Sequence, residues 1–180
     1  MRAAPRSPST SANRTVASGR MELSAFAERY PPLPPALAPA AADQLRLLVA
    51  EDGVRELQSP LDGAAPGVPG TKLGRHLWII ARTGIPFILE TAPDVRPPPL
   101  SSGVAKHTNL TGGDGACCGG ELWVDPSDAG RLFVNGGSGR FPPRSPQQLA
   151  EAVRVIERRG FGVVSAGWDE DNARPARVFR

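Results

Sequence analysis

A chain of 180 residues, 40% hydrophobic and 22% charged, is long enough for one domain with a sizeable core. No apolar run approaches the roughly 20 residues of a membrane helix, so no membrane partner is expected. The net charge of +3 is more than accounted for by Arg2, Arg6, Arg14 and Arg20; the remainder stands at −1 and carries no basic stripe interleaved with aromatics, which argues against specific nucleic-acid binding.

Residues 1–20 contain no acid and no apolar h-region, so they do not read as a secretory signal. Their composition predicts disorder: an extension ahead of a true start at Met21, or a tail resembling a transit peptide. Pro31-Pro32-Leu33-Pro34-Pro35 reads as a stiff connector. Residues 1–39 are thus expected to be tail and connector, and residues 40–180 a single domain. Leu45, Leu48 and Val49 predict a short helix over 40–51, with Asp52-Gly53 as an alternative hairpin turn. Residues 58–74 are broken by Pro and Gly and read as loop.

Two apolar runs, 76–82 and 85–90, flank Thr83-Gly84 and predict a hairpin. Pro86 has no amide donor and belongs at the start or edge of its strand. A second Pro-rich linker spans 93–102. Strands follow at 121–125 and 131–135, across a turn at 126–130. The best-specified helix begins with Ser145 as N-cap, Pro146 in the first position and Gln148 completing a capping box. Leu149, Ala152, Val153 and Ile156 form its apolar face, and Gly160 ends it. Residues 161–166 read as a strand and 176–179 as a candidate last one. The fold class is α+β: a mostly antiparallel sheet of five or six strands with one main helix on one face. Cys117 and Cys118 are adjacent, which excludes a disulfide framework and points to a reducing, cytoplasmic compartment.

Half of the 20 glycines fall between Gly103 and Gly139, among most of the polar residues able to do chemistry. A dinucleotide loop is excluded because a strand, not a helix, follows Gly113-Asp114-Gly115. No Gly-Lys-Ser or Gly-Lys-Thr occurs for a P-loop. Gly136-Gly137-Ser138-Gly139-Arg140 lacks the second glycine and the helix of a nucleophile elbow. His76, His107 and the cysteines lack metal-ligand spacing, so no metal and no cofactor is expected.

Within the block, His107 is the candidate acid–base residue and Glu121 its orienting partner. Arg140 offers a planar fork to a carboxylate or phosphate. Lys106, Thr108, Asn109, Asn135 and Ser138 are the candidate ligand contacts. Each has a structural alternative. His107 could bond a loop carbonyl, Glu121 and Arg140 could bridge one another, and both asparagines could fill turns. His76, at the head of an apolar strand, reads as structural.

The run Lys106-His107-Thr108-Asn109-Leu110-Thr111-Gly112-Gly113, then Gly119-Gly120-Glu121-Leu122, then Ser138-Gly139-Arg140-Phe141 with Pro143, resembles a pattern in uncharacterised bacterial proteins, some of them associated with effectors or toxins. It also partly resembles plant IQ-motif-containing calmodulin-binding proteins over residues 104–144. That resemblance implies a shared small β-rich unit; this chain has no IQ helix, and no activity carries over.

Two functions therefore stand as expectations. In the first, amides of the glycine turns and Arg140 hold an anionic small molecule, with nucleotide group transfer as the reaction to test. In the second, the domain is a protein-interaction module of effector-accessory or immunity type, with Trp78, Trp123 and Trp168 as anchor candidates. A third reading leaves the glycines to tight turns and close packing alone. The first requires His107, Glu121 and Arg140 to meet at one solvent-reachable hollow.

Overall fold

The computed structural model describes residues 21–61, 63–91, 100 and 102–179. The tail expected over residues 1–20 and most of the second Pro-rich linker lie outside them.

The chain folds as an α+β structure on a six-stranded sheet in the order β1-β3-β2-β4-β5-β6. Its strands are β1 (Arg55–Glu56), β2 (His76–Ile80), β3 (Pro86–Leu89), β4 (Cys118–Asp125), β5 (Asp128–Asn135) and β6 (Gly162–Ser165). The pairs from β1 to β5 are antiparallel. β6 alone runs parallel to its neighbour β5, because the helix α2 (Pro146–Glu157) carries the chain back across the sheet between them. A small second sheet pairs β7 (Trp168–Asp169) with β8 (Arg174–Pro175).

The β2–β3 hairpin forms as expected, with Leu77 opposite Ile88 and Trp78 opposite Phe87. Pro86 opens β3. α2 also starts where its local signals put it: the Ser145 hydroxyl accepts the Gln148 amide at 3.1 Å. The capping box is not closed, however. Gln148 turns its carboxamide oxygen to the Arg144 amide at 2.8 Å and donates through Nε2 to the Cys117 carbonyl at 2.8 Å. The helix is thereby tied to the sheet.

Alternating side chains along each strand divide the interior into two cores. On one face, Trp78, Ile80, Leu122, Leu132 and Val134 pack against Ala152, Val155 and Ile156 of α2. On the other, Leu77, Ile79 and Ile88 are covered by Leu48, Leu110 and Phe141, which come from irregular segments.

Four expectations are corrected. Residues 21–39 are not tail and connector. Residues 21–29 form a helix, α1, whose Leu23, Phe26 and Ala27 join the α2-side core. Burial of Leu23 and Phe26 contributes about 2 kcal/mol each. The prolines that follow lie along the body, where Leu33 exchanges amide hydrogen bonds with Ala116 at 3.0 and 3.1 Å.

The helix expected over 40–51 is instead two 3-10 turns, Ala42–Leu45 and Ala50–Asp52. In an α-helix the Asp43 and Arg46 carbonyls would take amides four residues on; here both accept Asn109 Nδ2, at 2.8 and 2.9 Å. The candidate strand 176–179 is displaced to β8. Phe179 packs edge-on against Trp123 and Phe133. Finally, Gly119 and Gly120 do not precede the strand containing Glu121 but lie inside β4.

No helix among the described residues is long and apolar enough to cross a membrane.

Candidate functional site

The Gly-rich block wraps one end of the second core. His107–Leu110 forms a 3-10 turn whose four residues are all buried. It rests on β4 because β4 has no side chains there. A Cβ on Gly119 would stand 2.6 Å from the Trp78 carbonyl oxygen and 3.3 Å from His107 Cδ2, and one on Gly120 would overlap the Asn135 carbonyl. Two successive glycines let the imidazole and the neighbouring backbone approach the sheet directly.

His107 Nε2 lies 2.8 Å from the Gly120 carbonyl oxygen. Burial lowers the ring's pKa to about 4, against the stabilising bond to Gly120, and the positive charges of Lys106, Arg75 and Arg140 push the same way. At neutral pH the ring is uncharged, so the nitrogen facing the carbonyl carries the proton and donates. That is the structural alternative of the sequence reading: a histidine bonded to a backbone carbonyl and closed off from solvent.

Glu121 stands one residue further along β4. Its Oε1 pairs with Arg75 at 3.0 Å and its Oε2 accepts Asn135 Nδ2 at 3.0 Å. Arg75 also donates to Glu90 at 2.7 Å, so one guanidinium ties together the start of β2, the end of β3 and the middle of β4. Sequence reasoning missed Arg75; the signal was a charged residue immediately before an apolar strand. The suggested Glu121–Arg140 bridge does not form.

Arg140 reaches in the other direction. It donates to the Leu37 and Ala38 carbonyls and to Gln44 Oε1 at 2.8 Å. Its fork therefore holds residues 37–44, the polypeptide leading into and through the first 3-10 turn.

Three of the remaining candidates, Asn135, Ser138 and Asn109, are similarly engaged. Asn135 Oδ1 accepts the Glu121 amide at 3.1 Å and the Gly137 amide at 2.8 Å. Ser138 Oγ accepts the Arg140 and Phe141 amides at 3.3 and 2.9 Å. Asn109 Oδ1 accepts the Lys106 amide at 2.8 Å, while its Nδ2 bonds Asp43 and Arg46 as described. Thr108 is fully buried, and its hydroxyl has no hydrogen-bond partner. Lys106 is half-buried at the rim.

The block thus brings His107, Glu121 and Asn135 together at β4 but binds each to groups of the protein itself, while Arg140 turns away to residues 37–44. Among the described residues no group of three or more His, Cys, Asp or Glu side chains could hold a metal ion.

The open surface lies elsewhere. Along the flank of α2 a groove of about 400 Å³ runs between Leu149, Ala150 and Val153 on the helix and Ser165, Gly167 and Trp168 on the chain leaving β6. Beside it β6 is the last strand of the sheet. Of the three tryptophans, Trp78 and Trp123 are fully buried and Trp168 is half-exposed in this groove.

No protein-family model matches this chain, and no curated protein or solved structure is significantly similar to it.

Proposed function

We propose that this domain is a protein-interaction module without catalysis, of the effector-accessory or immunity type, and that its working surface is the β6 edge with the groove beside α2. The observation that carries this reading is the contrast between the two sheet edges. Edge strands are usually guarded by charge, proline, a bulge or extreme shortness. β1 is two residues long, both charged, Arg55 and Glu56. β6 reads Gly-Val-Val-Ser, pairs with β5 in unbroken register and has none of those guards except modest length. An extended segment laid beside it would gain main-chain hydrogen bonds, and its side chains would reach the Trp168 groove.

The alternative, an anionic ligand held by the Gly-rich block, draws less support. His107, Glu121, Asn109, Asn135, Ser138 and Arg140 already have partners inside the protein, and displacing them would leave buried polar atoms unpaired.

A photo-crosslinking residue at Ala150, compared with one at Asp114 beside the glycine turns, tests the reading in cells that produce the protein. Both positions are exposed. The expected result is a protein adduct from position 150 and none from 114. No adduct from position 150 would reject the interaction surface.

A further inference from the structure

The partner class follows from the direction in which β6 presents its backbone. The Ala166 amide donates to the Val134 carbonyl at 2.9 Å, so Ala166 faces inward toward β5. Backbone groups alternate sides along a strand. Val164 and Gly162 therefore also face β5, while Val163 and Ser165 direct their N–H and C=O groups away from the sheet. No described residue hydrogen-bonds to those outward groups.

We propose that the β6 edge takes a second copy of this chain, antiparallel about a two-fold axis at Val164, so that one sheet runs through both copies. This rests on the interaction reading and names its partner. With Val164 opposite its own equivalent, Val163 of each copy faces Ser165 of the other. Both residues have outward N–H and C=O groups, so each facing pair exchanges two hydrogen bonds, the closely bonded arrangement of an antiparallel ladder. The contact uses the same patch on both partners, as a closed two-fold interface requires.

Charge favours the same occupant. β6 has no ionisable side chain, and the chain beyond residue 20 has a net charge of −1, so two copies meet without strong repulsion. The groove rim carries Arg154 and Glu157, one turn apart on α2. The two-fold sets the two α2 helices antiparallel and so reverses the order of these charges from one copy to the other. Because β1, the other edge, is short and charged, assembly stops at two copies.

Sedimentation equilibrium of the full chain tests this, with hydrogen exchange read in parallel. The expected mass rises with concentration to twice 19.0 kDa and goes no higher. Amide exchange at Val163 and Ser165 should slow at least tenfold over the same range, while that of Val164, already bonded to β5, should not change. Val163→Pro removes an outward donor that the single copy does not use, and should return the mass to one copy with cooperative unfolding retained. If that variant fails to fold, the concentration dependence of Val163 and Ser165 exchange decides alone. A mass that stays at one copy up to about 100 μM, or a dimer indifferent to Val163→Pro, overturns the proposal. A single-copy mass together with an Ala150 adduct to a different protein would remove self-pairing and leave the interaction reading intact; a single-copy mass with no adduct would remove both.

Discussion

Asn109 satisfies three backbone groups through one carboxamide: its oxygen takes the Lys106 amide and its nitrogen serves the Asp43 and Arg46 carbonyls. Truncation leaves those groups to be satisfied in a buried space, each costing about 1–3 kcal/mol. Asn109→Ala should therefore lower stability by about 3 kcal/mol in urea melts. Thr108, its neighbour, predicts the opposite sign. Its hydroxyl is buried without a partner, so Thr108→Val, of nearly equal shape, should raise stability by about 1 kcal/mol. Two histidines add a pH dependence. Burial holds His76 and His107 each at about 4, against about 6.5 in the unfolded chain. The unfolded state then takes up protons first. Stability from the neutral rings is complete above about pH 6.5 and is lost as pH falls toward 4, by up to about 1.4 kcal/mol per unit for each ring. His107→Gln keeps a donor for the Gly120 carbonyl and should remove about half of that histidine-linked slope. An unchanged slope between pH 6.5 and 4 would mean that His107 is solvated.

At the scale of elements, β4 is the strand on which the rest depends, and its glycines carry the sharpest test. Gly120→Ala places a methyl against the Asn135 backbone and should cost about 3 kcal/mol or prevent folding. Gly162→Ala, whose nearest neighbour is 3.9 Å away, should change the melting midpoint little. What was readable from the sequence follows the range of the forces involved. The 76–90 hairpin and α2 carry their instructions locally, in a Thr-Gly turn, an N-cap serine, a proline and an apolar face. The 40–51 segment also has apolar residues at helical spacing, but a side chain more than sixty positions away takes the carbonyls its helix would need. Likewise α1 was hidden because its neighbours are prolines and a polar tail. Only the fold supplies the core that Leu23 and Phe26 enter.

Across the whole molecule, the sequence correctly marked the Gly-rich block as a place where backbone comes close, but not what it comes close to. Glycine density reports close approach and is silent on whether the approaching group is a ligand or the chain itself. Here the groups standing against β4 are His107, the Asn135 backbone and the 136–141 segment, whose Phe141 carbonyl accepts the Gly119 amide at 2.7 Å. Arg140 extends that tether to residues 37–44. Arg140→Ala should accordingly speed amide exchange through this stretch, with little change in α2.

One further property follows from where the adjacent thiols sit. Cys117 and Cys118 are both buried on the α2 side, and burial raises both above the ordinary thiol range, Cys117 to about 11. An alkylating reagent needs an accessible thiolate, and Gln148 holds α2 over this site through the Cys117 carbonyl. The sulfurs therefore serve as a built-in timer for separation of helix and sheet. Their labelling rate at neutral pH should track global opening of the protein, and no tag or dye need be introduced to follow it.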